Sequence, residues 1–229
     1  MHRQFADRTS AGRELAAKLE HLRGRNAIVL GLPRGGLPVA YEVACALGAP
    51  LDILNVRKLG VPWHEELAMG AIGTGGVRVL NSDIMLGMGI TQDALDEATT
   101  AQQAELERRE RLYRGGRPAP VLAGRTVILV DDGIATGATV RAAIEVVRAQ
   151  KPESIVLAVP VVQDSVAEDL RRDVHELVAV SIPADLLAIG AWYQSFPQLS
   201  DDAVRQTLEL ARSRRSGGAQ TSPCRPSSP

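Results

Sequence analysis

The chain has 229 residues, 45% hydrophobic and 23% charged, with 26 Lys and Arg against 27 Asp and Glu for a formal net charge of -1. Such values exclude a disordered or fibrous class and fit one globular domain with a substantial core. Balanced charge gives no reason to expect nucleic acid or an anionic membrane as the main partner, so any polyanion site must be local.

The two cysteines, Cys45 and Cys224, form neither a disulfide framework nor a metal-binding spacing. Residues 1 to 25 lack the apolar centre of a signal peptide, and no later window approaches ~18 uninterrupted apolar residues. A cytoplasmic protein is the expectation.

Along the chain, short runs rich in Val, Ile and Leu read as buried strands: AIVLGL (27 to 32), LDILNV (51 to 56), TVILV (126 to 130), SIVLAVPVV (154 to 162) and ELVAVSI (176 to 182). Helical spacing fills 37 to 48, 91 to 114, 139 to 150, 164 to 174 and 200 to 213. This alternation predicts a mainly parallel sheet covered on both faces, with ligands bound beyond the carboxyl ends of the strands. The stretch MGAIGTGGVRVL (69 to 80) reads as a hairpin or edge pair turning at Gly75 and Gly76. Residues 91 to 114 carry glutamates among the arginines and read as a solvated helix face. From Arg214 onward the Ser, Pro and Gly content is that of an unfolded tail, residues 214 to 229.

Three loops stand out. In VILVDDGIATGAT, Asp131 and Asp132 end an apolar strand and small residues lead into a helix beginning near Thr139. Gly133, Ala135, Gly137 and Ala138 let backbone approach a ligand, and the amides opening the helix favour an anion. With the hydroxyls of Thr136 and Thr139 they suit a phosphate monoester. The paired acids would repel a phosphate but can accept from sugar hydroxyls or hold Mg²⁺ through water, so a ribose phosphate satisfies both halves. The plain alternative is a strand-to-helix turn capped by Asp.

In the second loop, GLPRGGLPVA, Arg34 could reach a pyrophosphate while Gly35 and Gly36 expose amides beside it, with a helix starting near Pro38. Taken alone it reads equally as a tight turn. The third, RKLGVPWHEELAMG, mixes Arg57, Lys58, Trp63, His64, Glu65 and Glu66 with little periodicity. An ordinary exposed loop is its plain reading, and HEELA lacks the second histidine of a zinc motif.

VILVDDGIATGAT resembles the phosphoribosyl diphosphate (PRPP) loop of the type I phosphoribosyltransferases, and GLPRGG resembles the pyrophosphate loop of that family, notably its xanthine-type purine enzymes. The third loop resembles, more loosely, the mobile catalytic loop. The resemblance implies an α/β fold with a twisted, mainly parallel sheet flanked by helices and a small hood at about 181 to 200, all within a domain of residues 1 to 213. It implies transfer of ribose 5-phosphate from PRPP, with Mg²⁺, to a small nitrogenous acceptor of nucleotide metabolism, releasing pyrophosphate. Asp131 and Asp132 would contact ribose and carry the metal; Ala135 to Thr139 would wrap the phosphate, with Gly133 also in the PRPP site. Pro33, Arg34, Gly35, Gly36, Arg57 and Lys58 would face pyrophosphate. Relatives often have a non-proline cis peptide in the second loop, which residue types cannot reveal.

One departure is Ala135, where the hypoxanthine, guanine and xanthine enzymes carry Asp. Alanine cannot move a proton, which weakens a purine assignment and leaves Glu65, Glu66 or Asp185 as candidates. Trp192, Tyr193 and Phe196 fall within five residues in a chain with seven aromatics, enough for a stacking wall for a flat acceptor, with helix-on-sheet packing as the equal alternative. Asp132→Ala is expected to spare the fold, as a loop carboxylate should. A PRPP sensor without transfer activity is the second reading, and a hydrolase is disfavoured for want of a nucleophile motif. Oligomeric state is not legible, although dimers are common in that family.

Overall fold

The computed structural model describes residues 4–216. Five strands form a parallel sheet: β1 (Ala27–Gly31), β2 (Leu51–Ile53), β6 (Thr126–Val130), β7 (Ser154–Val161) and β8 (Glu176–Ser181), in the order β2-β1-β6-β7-β8. A second, antiparallel sheet is formed by β3 (Val56–Val61), β4 (His64–Gly73) and β5 (Val77–Leu80). The helices are α1 (Arg8–Lys18), α2 (Gly36–Leu47), α3 (Ser82–Gly87), α4 (Gln92–Arg114), α5 (Ala138–Arg148), α6 (Asp164–Leu170) and α7 (Asp201–Ser216).

The near-continuous apolar runs of the central strands follow from burial on both faces. Ile128 and Val130 of β6, with Val156 and Ala158 of β7, pack with α1, α2 and α7 residues such as Leu15, Val43 and Leu208. Val127, Leu129, Ile155 and Leu157 pack on the opposite face with Ile144 and Val147 of α5 and Leu170 of α6. The chain passes from β1 through α2 to β2 on one side, and from β6 through α5 to β7 on the other. The sheet therefore switches direction between β1 and β6, and the crevice beyond that point is where a doubly wound sheet binds ligands.

All five runs expected as strands are strands of the parallel sheet, except that 51 to 56 divides: β2 ends at Ile53, and Val56 begins the second sheet. Gly75 and Gly76 do form the turn between β4 and β5, with φ of 80° and 74°. Such left-handed backbone favours glycine. The third loop is a correction. It is the β3–β4 ribbon, whose alternation (Leu59 and Val61 buried) is interrupted by register shifts on both sides of Gly60. Helix α2 starts at Gly36 rather than near Pro38, and α7 continues through Ser216, past the expected end at 213. The rest of the expected tail lies outside the described residues. Among those described, no helix is long and apolar enough to cross a membrane.

Candidate active site

Beyond the switch point, the loop after β1 and the loop after β6 touch. The peptide between Pro33 and Arg34 is cis. A Cβ built on Gly35 would lie 2.0 Å from Oδ2 of Asp132, and one on Gly36 would lie 2.6 Å from the Val130 carbonyl oxygen. Both positions demand glycine because the two loops leave no room for a side chain.

Asp131 and Asp132 diverge in environment. The Asp132 amide donates to Oδ1 of Asp131 at 2.9 Å. Burial, then the neighbouring Asp132 charge, push the Asp131 carboxyl well above the usual carboxylate range. Asp132 is 8% exposed, and its Oδ2 accepts from Nε of Arg8 at 2.8 Å. Its carbonyl oxygen accepts from the Tyr193 hydroxyl at 2.6 Å, and burial holds that phenol's pKa above its ordinary value. The expectation of a loop carboxylate with no part in the core is thus overturned for Asp132, which sits in a buried ion pair.

The loop after β6 ends at Gly137, whose φ of 77° turns the chain into α5. The first-turn amides of that helix have no carbonyl within it to bond. Thr136 and Thr139 are exposed beside them, and Asp131, the segment Gly133 to Val140 and Ile189 line a cavity of about 180 Å³. Gly133 is fixed by crowding, since a Cβ there would come within 2.6 Å of Ile189.

In the loop after β1, Arg34 lies 3.9 Å from Asp201 and keeps partial exposure. Lys58 lines the grooves on either side of the ribbon. Arg57 borders a small cavity together with Pro33 and Thr139, and is also held from α4. Its Nη2 is 3.1 Å from Glu105 of α4, a carboxylate that also accepts from Arg108 and Arg109. Those two hydrogen bonds lower the Glu105 pKa to about 2. The side chains of Glu65 and Glu66 lie outside the described residues.

The expected aromatic wall is also corrected. Trp192 and Tyr193 are 9% and 4% exposed and pack with Phe5, Ala11, Val161 and Leu186. Phe196 has the Arg8 guanidinium 3.7 Å from its ring centroid and the Tyr193 ring 4.8 Å away. Trp192 and Tyr193 are not open for stacking, because their apolar area closes the hood onto the sheet. Phe196 still borders a cavity of about 430 Å³ together with Arg8, Arg34, Gly35, Asp132, Ile189 and residues 197 to 199. Asp185 is exposed on the segment after β8 and is not among the residues lining that cavity.

Sequence reasoning missed Arg8. Asp7 caps α1 through a reciprocal pair of bonds with Ser10, which fixes Arg8 at the helix start, and Phe5 pairs with the 192 to 194 segment through 2.8 Å backbone bonds. The D-R-T-S cap was the available signal for the helix, but nothing local announces a partner 124 residues away.

The family profile described as a phosphoribosyl transferase domain matches residues 4–186. A Mycobacterium tuberculosis protein named "Putative phosphoribosyl transferase" is 49% identical over 207 residues, 90% of this chain and 47% of that protein. The chain thus spans about half the length of that relative. The bifunctional protein PyrR of Deinococcus radiodurans is 34% identical over 142 residues, 58% of this chain and 72% of its own. Among solved structures, TT1426 of Thermus thermophilus superposes with a TM-score of 0.83 at 42% identity, covering 90% of this chain and 97% of that one. The twin loops at the β1–β6 switch point therefore have their explanation in descent: the chain belongs to the phosphoribosyl transferase domain family.

Proposed function

We propose that the protein transfers ribose 5-phosphate from PRPP to a small nitrogenous acceptor and releases pyrophosphate. The observation that carries this reading is the contact of the two loops at the switch point, where Gly35 lies against Asp132. That contact puts the start of α5, the acid pair and a second glycine-rich loop beside one crevice, which supports an anion-binding role.

In this reading the 5′-phosphate binds the amides opening α5 and the hydroxyls of Thr136 and Thr139, within the turn formed by Ala135, Gly137 and Ala138. The ribose diol rests on Asp131 and Asp132. Pyrophosphate lies between Pro33 to Gly36 and the base of the ribbon, where Arg34 and Lys58 stabilise negative charge as it grows. Arg57, which borders the same cavity as Pro33 and Thr139, joins them. The anomeric C–O bond breaks, its electron pair leaves with pyrophosphate, and the acceptor nitrogen forms the new bond. Positioning and charge stabilisation are the main demands on the protein.

The acid pair fits Mg²⁺, which takes one or two carboxylates and fills its remaining positions with water and substrate oxygens. Asp131, raised by burial and by its neighbour's charge, is a group that a nearby dication would relieve. When bound, the ion would neutralise pyrophosphate. Phe196 borders the proposed acceptor cavity, Trp192 and Tyr193 support it from behind, and proton acceptance is assigned to Glu65 or Glu66 on the ribbon. A soluble cytoplasmic setting and a homodimeric assembly belong to the same proposal.

Calorimetry with PRPP and Mg²⁺, followed by pyrophosphate release with a panel of purine and pyrimidine bases, tests it. Binding is expected, with release dependent on one class of base. PRPP binding without release by any base would favour a sensor, and no binding at all would overturn the assignment.

A further inference from the structure

We propose that Arg8 is a positioning residue that joins the hood to the ribose-holding acid, so that the acceptor cavity and the sugar grip form one mechanical unit. The inference rests on the proposed use of the acid pair for ribose. Arg8 makes three contacts of different kinds. Its Nε donates to Asp132 Oδ2 at 2.8 Å, its Nη1 donates to the Pro197 carbonyl oxygen at 2.8 Å, and its guanidinium covers the Phe196 ring at 3.7 Å. The residue is buried, yet it borders the acceptor cavity.

The consequence is geometric. Gly35 closes one side of the Asp132 carboxylate, Arg8 holds its Oδ2, and Tyr193 fixes its carbonyl. Asp132 is left with little rotational freedom, and its placement depends on the hood rather than on the loop alone. A planar guanidinium can hold an acid, a carbonyl and a ring at once, and an ammonium cannot reproduce that fork. A small misplacement of a group that positions substrate can cost roughly a hundredfold in reaction rate.

The test is PRPP binding by calorimetry in Mg²⁺ on the full chain, with thermal melting as the check on folding. Wild type must bind first, and its failure would remove the functional reading rather than this one. Arg8→Ala is expected to weaken PRPP binding by about tenfold or more, the scale of one hydrogen bond to a charged group. Arg8→Lys should recover part of the loss, since it keeps a charge beside Asp132 but cannot also hold Pro197 and Phe196. Phe196→Leu, which removes the ring beneath the guanidinium and keeps an apolar side chain against Tyr193, should fold and lower PRPP affinity severalfold. Ribose-independent binding of inorganic phosphate should remain unchanged in all three, which a general collapse of the site would not allow. Wild-type PRPP affinity in folded Arg8→Lys and Phe196→Leu would overturn the inference, whether or not Arg8→Ala folds.

Discussion

Replacing Asp132 by alanine should destabilise the protein as well as impair it. The side chain to be removed is the partner of a buried arginine at 2.8 Å, and deleting one member of a buried pair typically costs about 3–5 kcal/mol because the other charge is left uncompensated. In a domain of this size each kcal/mol lowers the melting midpoint by about 2–4 °C, so a fall of roughly 6–20 °C is expected. Asp132→Asn keeps an oxygen for Arg8 and should lose less. The double variant Arg8→Met/Asp132→Asn should be more stable than the sum of its single changes, since it removes both charges. Urea denaturation followed by circular dichroism measures all four corners of the cycle. An Asp132→Ala protein within about 1 kcal/mol of wild type, or strictly additive single changes, would refute the pairing argument.

Trp192→Ala should cost about 3–5 kcal/mol in the same assay, the range for deleting a large buried aromatic, because its ring packs inside the hood cluster. A stable variant defective only in acceptor use would instead restore the stacking wall. Gly35→Ala should abolish calorimetric PRPP binding, since its Cβ meets an Asp132 carboxylate that Arg8 prevents from swinging aside. Unchanged binding would mean that the two loops can separate freely. Glu105 has a folded pKa of about 2, below the ~4.3 of an unfolded Glu. Its contribution is therefore complete above that unfolded value and is lost as pH falls towards 2. Melting curves of wild type and Glu105→Gln should differ near neutrality and converge at the acid end.

What could be read from residues alone was whatever depends on neighbours in sequence. TVILV had to be buried on both faces and DDGIATGAT had to leave the sheet as a loop, because periodicity and glycine placement are local properties. The ribbon was harder: Gly60 and its register shifts break the period that would have identified β3, and Arg57-Lys58 looks like loop composition. The burial of Asp132 was invisible for another reason. Its partner is set by the docking of α1 against the hood, and no spacing rule connects Arg8 to a carboxylate so far along the chain. The aromatic cluster misled because three rings close together predict packing and stacking equally well until their faces are seen.

The same dependence on distant contacts governs the ribbon's attachment to the sheet. Asn55 and Thr74, which flank it, are joined by two hydrogen bonds: the Asn55 amide donates to Thr74 Oγ1 and the Thr74 amide to the Asn55 carbonyl, each at 2.9 Å. Both side chains then donate to Oε1 of Glu110, at 2.7 and 2.8 Å. Glu110 is paired with Arg114, a residue only 1% exposed that also holds Asp52 and the Ile53 carbonyl. Breaking such a network leaves several buried polar groups unsatisfied at once, so its members act as a unit. Lys58 therefore projects from a ribbon whose two ends are bound to the edge of the parallel sheet through α4. The arginines and glutamates of 105 to 114, which read as a solvated face in the sequence, divide along this helix. Arg108 and Arg111 remain at the surface, while Glu110 and Arg114 turn inward to secure the part of the chain that borders the proposed pyrophosphate site.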